Sequence, residues 1–156
     1  MVIKVHILTH FKESHIPKLR SSLGLMKTAL NSHAFRNAIV QHAPFKTQAQ
    51  LPNDTIHRFI LMGQELDSEA DGVADMQLEM VYSGSPDNNV IGYTSNGVIY
   101  TFNNKFETLS EAALAGHYAH EYCHTIGFAD PVNETDLPFN VPYEVGRIVT
   151  EIALGG

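Results

Sequence analysis

The chain has 156 residues, 44% hydrophobic and 17% charged, with a formal net charge of −7. That balance suits one folded domain, spanning residues 1–156 with a core of its own, rather than a disordered chain. The acidic charge argues against a general nucleic-acid or anionic-membrane binder, since both need basic surface, and no window is apolar enough to span a bilayer.

In chain order, residues 1–9 (with Val2, Ile3, Val5 and Ile7) read as a strand. They lack the basic start, apolar run and small-residue cleavage site of a signal peptide. A cytoplasmic location is expected, or export by a route that leaves no N-terminal mark. From about Leu19 to Gln41 the apolar residues recur at helical spacing, with Gly24 or Asn31-Ser32 as candidate interruptions. Pro44 and Pro52 bracket a loop, and His57–Met62 and Met76–Tyr82 read as strands. Between those strands, Asp67-Ser68-Glu69-Ala70-Asp71-Gly72 has the start of a calcium loop. Its twelfth position is Leu78 where a bidentate Glu is required, which makes it a solvated loop.

Two β-rich runs, 89–94 and 98–102, flank Ser95-Asn96-Gly97, and Asn-Gly there favours a tight hairpin because both residues tolerate positive φ. Thr108-Leu109-Ser110-Glu111 has the form of a capping box opening a helix that runs to about Ile126, with Gly127 as its stop. Pro142 marks the start of a last helix ending at Leu154. The order of elements is α+β. The active-site helix closes an N-terminal part, 1–127, and residues 128–156 form a smaller C-terminal part.

Three of the nine histidines fall between His117 and His124. Residues 120–124 read His-Glu-Tyr-Cys-His. On a helix, positions i and i+4 share a face, so His120 and His124 direct ring nitrogens at one cation, with Glu121 within reach of its bound water. Zinc in such a site lowers the pKa of that water toward ~7, and Glu121 serves as general base. The five-residue pattern alone arises by chance on surface helices; Gly127 and Asp130 after it make it far more specific.

The full run from His120 to Asp130 resembles the metzincin signature HExxHxxGxxH/D, in the Asp variant found in small members similar to the snapalysins. The resemblance implies Asp130 as third zinc ligand, and a twisted mixed sheet with one helix before the active-site helix. It also implies a small helical C-terminal part closing the cleft. Metzincins carry a Met-x-Tyr turn under the metal, whereas this chain has no Met after Met80. Val141-Pro142-Tyr143 is the nearest counterpart, with Val141 as hydrophobic floor and Tyr143 where a tyrosine approaches the metal in some relatives. A core tyrosine is the competing reading of Tyr143.

Other residues compete for the same roles. His117 lies on the face of His120 and is a candidate ligand, a group backing the ligands, or a solvated histidine. Glu144 or Glu151 on the last helix would complete a gluzincin arrangement instead of Asp130. Cys123, turned about 100° from His124, reads as a small core residue; as the one cysteine it excludes an internal disulfide. The strand 98–102 is either an edge that pairs with an extended substrate, as the resemblance implies, or an interior strand.

The expected function is a zinc endopeptidase acting on a peptide or protein substrate. A catalytically inactive zinc-bound binding or regulatory domain is the alternative, and a hydrolase of a non-peptide amide a third. An intact Glu121 favours an enzyme over the inactive domain.

Overall fold

The computed structural model describes residues 1–47, 49–65 and 69–155. Its fold is α+β with a four-stranded mixed sheet. Strand β1 (Val2–Thr9) leads through a short 3-10 turn into α1 (Ile16–Leu30). The helical stretch then breaks at Asn31-Ser32, not at Gly24. Ser32 caps α2 (His33–Val40) by accepting from the Phe35 amide at 3.0 Å.

The run expected as a strand at 57–62 belongs instead to helix α3, Asn53–Met62. Its apolar cluster is too short for periodicity to separate the two states. Tertiary burial decides: Ile56 and Ile60, one helical turn apart, are both fully buried. Gly63 ends the helix at φ 59, where an added Cβ would lie 1.9 Å from the Val73 carbonyl oxygen. Strand β2 (Val73–Val81) follows, starting three residues earlier than expected. Asp67 and Ser68 of the acidic stretch lie outside the described residues, and Leu78 is buried in β2.

The hairpin forms as expected, with β3 (Gly92–Ser95) and β4 (Val98–Phe102) joined through Asn96 at φ 50 and Gly97 at φ 75. Both turn residues sit in the left-handed region, as a tight hairpin turn requires. The sheet order is β1-β2-β4-β3. Strand β4 pairs parallel with β2 and antiparallel with β3, so it is interior and the edge near the metal motif is β3. Alternate residues of β2 (Ala74, Met76, Leu78, Met80) turn inward and join one buried cluster that runs from α1 to the last helix.

A short helix unforeseen from sequence, α4 (Asn103–Thr108), precedes α5 (Glu111–Thr125), which carries the 120–124 motif. The cap of α5 is Ser110, not Thr108: its hydroxyl accepts from the Ala113 amide at 3.2 Å, while the Thr108 hydroxyl returns to the Asn104 carbonyl. The chain ends in α6, Val141–Gly155. Among the described residues, no helix is long and apolar enough to cross a membrane.

Helix α5 is buried on nearly every side, and α6 crosses it at two glycines. A Cβ on Gly116 would lie 1.9 Å from Thr150 Oγ1 and 2.5 Å from the Gly146 carbonyl oxygen. A Cβ on Gly146 would meet the Gly116 oxygen at 3.0 Å and His120 Cβ at 3.1 Å. The same substitution therefore has opposite signs at two helical glycines. Gly24→Ala, with open space around it, is expected to stabilise by about 0.5–1 kcal/mol. Gly116→Ala must push the helices apart and is expected to destabilise by about 1–3 kcal/mol. Urea midpoints of the two variants against wild type test both signs.

Candidate metal centre

The site is built on the C-terminal half of α5 and the turn after it. Gly127, at φ 97, ends α5: its amide bonds the His124 carbonyl at 3.1 Å and the Phe128 amide bonds the Cys123 carbonyl at 3.0 Å. This pair of reversed bonds needs a left-handed residue, which explains glycine here. The chain then doubles back across the open face of the helix, and the Phe128 carbonyl meets His124 Nδ1 at 2.7 Å. That contact makes Nδ1 the protonated nitrogen and leaves Nε2 of His124 free to ligate. The head of α6 also borders His120, where the Pro142 backbone favours the protonated ring.

Two residues beyond Phe128, Asp130 reaches the same point. The two Nε2 atoms lie 3.2 Å apart, and Asp130 Oδ1 is 3.8 Å from that of His120 and 3.5 Å from that of His124. Ligand atoms about 2.0–2.1 Å from a tetrahedral zinc stand roughly 3.3–3.4 Å from one another. The three donors could hold a metal ion such as zinc in number and chemistry, with separations near that range, and all three residues line a cleft. Among the described residues these three are the His, Cys, Asp and Glu side chains grouped closely enough to hold a metal ion. Burial first, and the neighbouring His124 second, lower the His120 pKa to about 4, so its ring is neutral and ready to coordinate at neutral pH.

Glu121 is buried beside this group. Thr94, on the edge strand β3, donates its hydroxyl to Glu121 Oε2 at 2.7 Å, and the Glu121 backbone oxygen lies 3.2 Å from the same hydroxyl. Burial raises the carboxyl pKa; the Thr94 hydrogen bond and then His124 pull against that rise, and the Asp130 charge adds to it. His117 Nδ1 stands 3.7 Å from Glu121 Oε1, and its Nε2 is 3.1 Å from Thr101 Oγ1 on β4. His117 thus lies behind Glu121, away from the ligand cluster, and burial lowers its pKa to about 3. Gly92 leaves room for it, since a Cβ there would lie 2.7 Å from His117 Cε1.

Tyr143 stands over the site, its ring edge-on to His120 with centroids 4.7 Å apart, and it is 42% exposed at the cleft. Val141 is buried in the core. The rival glutamates are engaged elsewhere: Glu144 is held by Arg147 at 2.7 Å and lies 3.4 Å from His42 Nε2, and Glu151 bonds Arg147 at 2.6 Å. Cys123 is fully buried, and burial raises its thiol pKa, which leaves it unreactive.

Sequence reasoning missed Thr94 and Asn140. Thr94 has no local signal. Asn140 does: an Asn directly before Val-Pro, with helix following, has the form of an N-cap. Compared with protein-family models, curated protein sequences and solved structures, the chain matches none.

The geometry makes a direct expectation about metal. The purified protein should carry about one zinc per chain by elemental mass spectrometry. Asp130→Ala should weaken zinc binding by more than the roughly 10–100-fold typical of losing a group behind a ligand. Zinc retained at full affinity by the variant would move the third ligand to another side chain.

Proposed function

We propose that this chain is a zinc-dependent endopeptidase of the metzincin type, with His120, His124 and Asp130 as ligands and Glu121 as general base. The observation that carries this reading is the convergence of three donor atoms, 3.2 to 3.8 Å apart, beside a buried carboxylate at the mouth of a cleft. Part of the fold agrees with the resemblance. A mixed sheet precedes α5 and Tyr143 packs edge-on against the His120 ring, whereas among the described residues four helices, α1 to α4, precede α5 where the resemblance implies one.

His120, His124 and Asp130 would hold the zinc ion, which would supply Lewis acidity toward a water and the scissile carbonyl. Glu121 takes the proton from the attacking water and returns it to the leaving amine. Its burial favours the role: desolvation raises the carboxyl pKa, which makes the carboxylate a stronger base. Thr94 fixes one carboxylate oxygen, so the base does not swing out of reach. Tyr143 presents its hydroxyl end to the cleft, where burial raises its pKa and keeps it a hydrogen-bond donor.

Substrate binding is expected along β3. This strand is a sheet edge, it lines the cleft through Gly92, Tyr93 and Thr94, and among the described residues no strand pairs with it on the side away from β4. An extended peptide adds there as a further strand, with main-chain hydrogen bonds holding it across the zinc site.

Glu121→Gln tests the mechanism. The variant should keep its zinc and lose at least ~100-fold in turnover of a quenched fluorescent casein. Undiminished hydrolysis in the variant would sink the proposed base. A zinc-loaded wild type that binds peptides without cleaving them would favour an inactive binding domain.

A further inference from the structure

Asn140 is the residue immediately before α6, and it is 5% exposed. Its Nδ2 donates to the Ala129 carbonyl at 2.9 Å, and its Oδ1 accepts from the Tyr143 amide at 3.3 Å. Only one orientation of the amide satisfies both, because a carbonyl must receive the NH2 and an amide N–H must meet the oxygen. The Asn140 backbone oxygen accepts the Glu144 amide at 3.1 Å, the first turn of α6.

The groups on either side of these two bonds are the metal-site residues. Phe128, before Ala129, gives the carbonyl that orients His124. Asp130, after it, gives the carboxylate donor. Among the described residues that carboxylate has only His120 and His124 as close polar neighbours and is 59% exposed, so its placement depends on the backbone that carries it. On the other arm, Tyr143 in the first turn of α6 packs edge-on against the His120 ring. One buried amide therefore ties the 128–130 turn to the head of α6, and through them touches the settings of all three donors.

We propose that Asn140 is a positioning residue for the metal site, clamping the Asp130 turn to the start of α6 so that the three donors keep tetrahedral spacing. This rests on the zinc reading above. Two separable functions share the side chain: Oδ1 caps the helix, and Nδ2 holds the turn. A serine retains a cap oxygen but is too short to reach Ala129, whereas an alanine loses both.

The test is zinc affinity, by competition with a chromophoric chelator, beside thermal melts of the metal-free protein. Wild type, Asn140→Ser and Asn140→Ala are compared, each also in an Asp130→Ala background. Asn140→Ser should bind zinc about 10–100-fold more weakly than wild type, while its metal-free melting point stays above that of Asn140→Ala. In the Asp130→Ala background the serine substitution should have less effect on affinity, because one of the donors it positions is gone. Wild-type affinity in Asn140→Ser would overturn the proposal. So would an affinity loss confined to Asn140→Ala and matched by its lower melting point, since that is capping alone. A wild-type protein that takes up no zinc would overturn the zinc reading and this inference together, whereas tight wild-type binding with an unaffected serine variant overturns this inference only.

Discussion

The close crossing of α5 and α6 at Gly116 and Gly146 is the contact on which the site depends. With no side chain at either glycine, the two backbones approach until the Gly146 position abuts His120 Cβ. That approach brings the head of α6 within reach of His120, where the Tyr143 ring packs against it. A wider crossing would separate Tyr143 from His120 and leave Asn140 too far from the 128–130 turn to hold it. The placement of His120 is thus a consequence of helix packing, and the packing is a consequence of two missing Cβ atoms.

Electrostatics and burial act together around that frame. His120 is held neutral by desolvation, which a metal ligand requires, while Glu121 is pushed the other way, toward retaining its proton. Opposite shifts from one shared cause set apart two groups that neighbour each other in the chain. His117, a third member of the same helix face, is kept neutral by deeper burial and sits behind the carboxylate rather than among the ligands. The hairpin contributes from the other wall. Its edge strand carries Thr94 to Glu121, so the strand that would hold a substrate is bonded to the group that would act on it.

Much of this was legible in the chain itself, where a local rule and the tertiary structure agree. The 120–124 pattern needs only helical spacing to align two imidazoles, and Gly127 needs only its missing Cβ to turn the chain. Asn96-Gly97 likewise specified its turn through backbone preference alone. Errors arose where local signals were ambiguous. The apolar run 59–62 fits strand and helix equally, and the burial of Ile56 with Ile60 against the core chose helix. The capping motif was displaced by two residues, because a short helix ending at Thr108 engages that hydroxyl internally.

What the sequence determined by itself was the grouping of His120, His124 and Asp130, the helix and turn that carry them, and the α+β order of elements. These depend on residues within a few positions of one another, for which spacing and backbone preference are sufficient. Tertiary structure alone decided that β3 is the edge and β4 interior, and that Glu144 is held by Arg147 and His42 rather than near the two histidines. It alone turned His117 toward Thr101 and Glu121 and brought Thr94 and Asn140 to the site. Those outcomes follow from strand order and from the distance between packed helices, which join residues far apart in the chain and leave no periodicity along it.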